Sequence, residues 1–391
     1  MPLGMGRLIN LQIPSDFIVG KAMGKGIAEF KDLSHLRGSI SILCLHNFDT
    51  VRDAIEARLK DKKHLDDLVL EWSSSSDGSR NEEIETEVLD ALQPHENLKK
   101  LTIKYYGEKL HIRKCGALTI FSQNPALGNL EPVDFPSMQL LVLVGCGDLE
   151  NLPFSLPLLK VLEIDGCGKL AALPRMVELS TRYLMDSNAE LLGWMMGFSS
   201  LTSQHLTHIP HVKCLPEGFI QQCEKLEELS LSAFPDLEYL ADDQVGLAHL
   251  ASLQRLTISN CPELVALPDE DDKLPPVLQY LDLKHGHSLM KLLGKFHNLE
   301  CLAELQIEWC SNIEAFPEMG LPDKLKRLVI CDCGALKTLP QELLCNNNIL
   351  EYLEVHKCPS LVSILDNGNF PSTLTHLKVY YCKTLRSLPE G

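Results

Sequence analysis

Residues 325–389 read LKRLVICDCGALKTLP, then LEYLEVHKCPSLVSI, then LTHLKVYYCKTLRSLP, so one phrase is written three times. The shared template, L-x-x-L-x-[IVL]-x-x-C-x-x-L-x-x-L-P, recurs along nearly the whole chain. A fixed period constrains the fold more than any single residue does. Each repeat is too small to bury its apolar face alone, so neighbours must stack on one another. The 391 residues, which would otherwise suggest several domains, therefore describe one array.

Anchoring on the second leucine of the template gives Leu43, Leu68, Leu101, Leu141, Leu162, Arg182, Gln204, Leu229, Leu256, Leu281, Leu305, Leu328, Leu353 and Leu377. From Leu141 onward the steps run from 20 to 27 residues, the period of a leucine-rich repeat. The L-x-L portion alternates, which predicts a short strand with leucines inward and the intervening residues outward. The expected fold is an α/β leucine-rich-repeat solenoid, a curved horseshoe with a parallel sheet on its concave face. Its domain is expected to span 1–391, with irregular repeats over 1–133 and regular cysteine-type repeats over 134–391.

Three places depart from the period. The 33-residue step from Leu68 to Leu101 predicts a serine-rich loop at Ser73–Ser79 and a helix near 81–92, with Ile84, Val88, Leu89 and Leu92 on one face. Ile103 and Ile112 then lie only nine residues apart, so two strand signatures are pushed together without room for a coil. Arg182 and Gln204 place polar groups where the template wants leucine.

Fourteen cysteines would suggest disulfides in a secreted chain, but eight of them fall at one repeat position. Their number follows the repeat, so they are expected to be reduced and buried where the chain turns inward. No run approaches 18 apolar residues, so no membrane span is expected. The N-terminus is a poor secretory signal, and none of the asparagines begins an N-x-[ST] sequon. A cytoplasmic location follows as the expectation, with the nucleus as the other possibility. A net charge of -17 argues against nucleic acid as a partner.

Several motifs invite chemistry and do not sustain it. Gly20–Gly26 (GKAMGKG) is one residue short of a phosphate loop and lacks its Ser/Thr, so a glycine turn is expected. His205, His208 and His211 are spaced along an extended segment whose rings would not converge on a metal. Cys331 and Cys333 alternate, one outward and one inward, and should not share an ion. Asp269–Asp272 lacks the glycine and terminal glutamate of a calcium loop. With no convergent catalytic set, no enzyme is expected, and no metal or cofactor is assigned to this chain.

The outward strand residues are the candidate site. They include Tyr105 and Tyr106, Asp282 and Lys284, Glu308 and Trp309, Glu354 and His356, and Tyr380 and Tyr381. Large aromatics on a rigid sheet, ringed by charges, suit protein contact because they bury area at small entropy cost.

Residues 16–106 carry a further signature, from DFIVGKAMGKGIAEFKDLSHLRGSISILCLHNFDTVRDAIEARLKDKKHLDDLVLEWS to EVLDALQPHENLKKLTIKYYG. This stretch resembles the leucine-rich-repeat region of plant coiled-coil nucleotide-binding disease-resistance proteins, intracellular immune receptors of the RPP13-like type. The cysteine-type repeats from Asp134 to Gly391 look like the second half of that region. The resemblance implies binding of pathogen effectors or guarded host proteins, and restraint of a nucleotide-binding switch domain, in cis or in trans. Any ADP or ATP would belong to that switch domain. Neither it nor a coiled coil precedes these repeats, and the family's Phe-Pro-x-Trp segment is absent after Tyr105-Tyr106-Gly107. The chain is accordingly expected to be a truncated receptor or a detached repeat module. A general repeat scaffold or ubiquitin-ligase substrate adaptor is the alternative. The adaptor would need an F-box-like helical segment, and residues 1–30 contain none. They contain no polar capping coil either, so the first strand is expected to show an apolar edge.

Overall fold

The computed structural model describes residues 16–20, 27–48, 50–72, 82–95, 97–98, 100–104, 109–113, 120–122, 138–152, 156–193, 198–241, 247–267, 274–290, 292, 299–316, 322–339, 349–364, 370–386 and 388. Tyr105, Tyr106, most of the Gly20–Gly26 segment and Asp269–Asp272 lie outside the described residues. The chain forms two compact units, Met1–Phe198 and Ser199–Gly391.

In the first unit the strands are β1 (Asp16–Ile18), β2 (Arg37–Leu43), β3 (His64–Glu71), β4 (Lys100–Lys104), β5 (Lys109–Arg113), β6 (Ile120–Ser122), β7 (Leu140–Val144), β8 (Val161–Asp165) and β9 (Thr181–Met185). One parallel sheet runs β1-β2-β3-β4-β6. The others pair in the order β5-β7-β8-β9, also parallel. The crowded signatures around Ile103 and Ile112 explain the break. With no coil between them, β4 and β5 cannot stack as successive repeats. Instead β4 pairs with β6 and β5 with β7, and both isoleucines still reach the core.

The first repeat also shifts relative to the sequence alignment. Ile40, not Leu43, stands opposite Leu68. Alternation decides this: Ile40 and Ile42 both point inward and are buried, whereas Leu43 closes the strand before Cys44 turns left-handed. A helix, α1, runs Arg52–Glu56. A second, α2, runs Glu82–Ala91 between β3 and β4 and buries Val88 and Leu89.

The second unit is regular. Strands β10 (Ser203–Thr207), β11 (Glu228–Ser232), β12 (Arg255–Ser259), β13 (Tyr280–Lys284), β14 (Glu304–Glu308), β15 (Arg327–Cys331), β16 (Tyr352–His356) and β17 (His376–Tyr380) pair in sequence order, all parallel. Leu229, Leu256, Leu281, Leu305, Leu328, Leu353 and Leu377 stand directly opposite one another in one column. All are buried except Leu377, which is 38% exposed because no described strand stacks on β17. Opposite the strands a second ladder links coils: Glu238 N–H donates to the Lys213 carbonyl, Val265 to Glu238 and Met290 to Val265. The chain is thus tied to its neighbour on both sides of the core.

Arg182 and Gln204 are wholly buried at leucine positions. The Arg182 guanidinium lies 5.3 Å from the Phe198 ring centre, so its charge faces an aromatic surface.

Candidate functional site

Every regular strand ends in the same three-residue device. The strand's last residue is followed by one with positive φ, then by a small or apolar residue that plunges into the core. The positive-φ column in the second unit is His208, Ala233, Asn260, His285, Trp309, Asp332, Lys357 and Tyr381. A neighbour holds each of the first seven in place. The backbone N–H of Trp309 donates to the Cys331 carbonyl at 2.9 Å, that of Asp332 to His356 at 3.0 Å, and that of Lys357 to Tyr380 at 3.0 Å. A left-handed conformation costs an L-residue about 1–2 kcal/mol, and this ladder offsets it.

The next residue is the repeat cysteine. Cys261, Cys310, Cys333 and Cys358 are buried, and each thiol points at the carbonyl two residues earlier at 3.5 Å. Ser187 fills the position after β9 and donates to the Met185 carbonyl at 2.7 Å, so a small weak donor is what the turn requires. Burial pushes the Cys261 and Cys310 thiols up to about 11, which leaves them protonated and unreactive. None of the twelve described cysteines is in a disulfide.

The positive-φ turn supplies the reason why Trp309 and Tyr381 face outward as expected. Strict alternation would send both inward, since each follows an outward strand residue. The left-handed turn throws them out instead, to 41% and 72% exposure. β14 and β17 therefore each offer two consecutive outward side chains at the end, Glu308 with Trp309 and Tyr380 with Tyr381.

From β13 onward these side chains form a continuous network. The Tyr280 hydroxyl donates to Asp282, and Lys284 bridges Asp282 at 3.1 Å and Glu308 at 3.7 Å. Asp282 faces outward but is only 4% exposed beneath this cover. His285 stacks on Trp309 at 5.6 Å, and the Lys357 ammonium lies 5.2 Å from the same indole. Lys357 also pairs with Asp332 at 3.2 Å. His356 packs on Tyr380 at 4.4 Å, and Tyr380 meets Tyr381 at 5.7 Å. Glu354 accepts from the hydroxyls of Tyr352 and, at 2.9 Å, Tyr380, with Lys378 at 3.7 Å. The Tyr352 hydrogen bond, helped by that of Tyr380 and by the Lys378 charge, holds the Glu354 carboxyl below the usual carboxylate range against the cost of its burial.

Eight of the ten candidate residues are thus described, and they share one face. The sequence pattern did not single out Tyr352, which bonds Glu354 and packs against Arg327 and Lys378 on that face. Its signal was positional, since it opens β16 directly before the column residue Leu353. The histidines of HLTHIPH do not gather: the His205 ring bonds Ser203 at 2.9 Å, and His211 lies 3.7 Å from Asp236. Among the described residues, no helix is long and apolar enough to cross a membrane.

Parallel five-residue strands, aligned leucine columns and a cysteine turn per coil define a leucine-rich-repeat protein. Residues 27–167 match the family of R13L1/DRL21 leucine-rich repeats. The chain is similar to plant disease resistance proteins. It is 28% identical to RGA1 of Solanum bulbocastanum over 279 residues, covering 61% of this chain and 28% of that protein. Against the RPP13-like protein 1 of Arabidopsis thaliana it is 27% identical over 356 residues, covering 83% of this chain and 30% of that protein. RGA4 of Solanum bulbocastanum is 36% identical over 149 residues, 33% of this chain and 15% of that protein. The chain spans less than a third of the length of these relatives.

Proposed function

We propose that this chain is the recognition module of a plant intracellular immune receptor. It binds a pathogen effector, or a host protein altered by one, through the outward face of β13–β17. The observation that carries this reading is the network of Trp309, His285, Lys357, Tyr352, Tyr380 and Tyr381 on adjacent, in-register strands. Rigid, half-exposed aromatics ringed by charge present large contact area that loses little freedom on binding. Similarity to disease resistance proteins supports the immune setting, and with it a nucleotide-binding switch domain that the module restrains. In this reading ADP or ATP is held by that switch domain and the cytoplasm is the place of action.

A two-hybrid screen of effectors and host proteins against the full chain tests the proposal. Partners of the unaltered chain should be lost on Trp309→Ala/Tyr380→Ala/Tyr381→Ala and kept on Ser230→Ala/Thr257→Ala. Retention of every partner by the triple variant would overturn the assignment of the face. A general scaffold would instead bind partners unconnected with immunity.

A further inference from the structure

The same end-of-strand device brings three different donor atoms together at one place. Cys331 is the last residue of β15, and His356, directly opposite in register, is the last residue of β16. Asp332 holds the positive-φ position, so its side chain is turned out beside Cys331 and not into the core. The Cys331 Sγ lies 3.3 Å from Asp332 Oδ2 and 3.8 Å from His356 Nε2. All three ligand atoms fall within 4.8 Å of one another, and they form the one such group among the described residues.

We infer that Cys331, Asp332 and His356 form a site for a divalent cation of intermediate softness, with zinc the best fit. Tetrahedral zinc, bonded to sulfur at about 2.3 Å and to nitrogen or oxygen at about 2.0–2.1 Å, sets neighbouring donors roughly 3.5 Å apart. The two sulfur separations bracket that value, and rotation of the Asp332 carboxylate closes the third. Magnesium and calcium seek oxygen cages and would be rejected by a thiolate and an imidazole. The backbone is already set, because Asp332 N–H donates to the His356 carbonyl at 3.0 Å. Cys331 is 8% exposed, the Asp332 side chain 15%, and Tyr380 packs the His356 ring, which together restrict water to one side. Three protein ligands leave a fourth position for water or for a side chain of a bound protein.

Lys357 opposes the ion. Its ammonium sits 3.2 Å from the Asp332 oxygen that the ion needs. The same ammonium also lies 5.2 Å from the Trp309 ring centre, and its side chain is 45% exposed, so it can turn to solvent when an ion takes its place. This gives the site a signature that damage to the fold cannot imitate.

The test uses the full chain, produced without a histidine tag and kept reduced with a phosphine, titrated with cobalt(II) and then zinc. One equivalent of cobalt should give a thiolate-to-metal band in the near ultraviolet, displaced by zinc. Cys331→Ser should abolish the band, and His356→Ala should weaken zinc by at least about tenfold. Lys357→Met should tighten it, while Cys301→Ser should change nothing. Circular dichroism checks that each variant keeps its fold. The absence of saturable binding at micromolar metal would overturn the inference. So would a band and affinity that survive Cys331→Ser and His356→Ala, or a Lys357→Met variant that binds no tighter. None of these outcomes depends on whether the face also binds a protein.

Discussion

The outward faces of β10–β12 and of β13–β17 share one backbone geometry and one register, yet they present different chemistry. The first carries Ser230, Ser232, Thr257 and Ser259, with Ala233 and Asn260 at the turns, and the Ser259 hydroxyl donates to Ser232 across two strands at 2.9 Å. The second carries aromatics and charges that contact across every pair of strands. Since the leucine column from β11 onward runs unbroken behind both, burial does not account for the difference between β11–β12 and β13–β17. The repeat supplies a grid of fixed positions, and what fills the outward positions is free to serve contact with something outside the chain.

That contrast can be broken or sharpened by substitution. The largest effect should come from the shared column behind the face. Leu305→Ala should cost roughly 3 kcal/mol in urea unfolding followed by circular dichroism. Leu377→Ala in the same column, already 38% exposed, should cost about 1 kcal/mol or less. Equal losses would mean that the terminal coil is as well packed as the middle of the array.

The turn column gives a second comparison. Ala233→Gly should raise stability by about 1 kcal/mol, because glycine relieves the left-handed strain and only one methyl group is given up. Trp309→Gly relieves the same strain but forfeits stacking with His285 and Lys357, so its gain should be smaller or reversed. The difference between the two variants measures what the aromatic network contributes to folding.

Tyr352→Phe should then cost about 0.5–1 kcal/mol near neutral pH. Glu354 has its folded-state carboxyl depressed, so its stabilisation is present above the ordinary glutamate range and is lost as pH falls below it. The variant should accordingly differ from the unaltered chain at neutral pH and converge with it in acid, and NMR titration should show the Glu354 carboxyl rising. Smallest of all, Ser259→Ala on the plain part of the face should change stability by less than about 0.5 kcal/mol.

Much of this was legible in the sequence because the leucine spacing encodes strand register directly. The columns from Leu229 to Leu377 are those the template places opposite one another. Legibility failed where periodicity gave no local signal. Leu43 satisfied the template by spelling, while Ile40 satisfied the alternation that the core obeys. The crowding at Ile103 and Ile112 was visible, but its resolution by partners one strand removed required three-dimensional pairing. At the site, alternation predicted outward Glu308, Glu354 and His356. Trp309 and Tyr381 are expected outward too, but the cause, a positive φ in the residue after each strand, has no sequence signature at tryptophan, lysine or tyrosine. Alternation set Cys331 apart from Cys333, but it gave no sign that the Cys331 thiol meets Asp332, adjacent in sequence and brought alongside by that turn.

The positive-φ column works as an alphabet with four letters missing. Proline cannot adopt the conformation, and valine, isoleucine and threonine are strongly disfavoured in it. None of the four occupies any of the column's eight positions in β10–β17. The residues found there range from alanine to tryptophan, since at seven of the eight positions a neighbouring carbonyl holds the backbone. A repeat array built this way can rewrite one character per coil, from histidine to tryptophan to aspartate, and leave the page on which it is written unchanged.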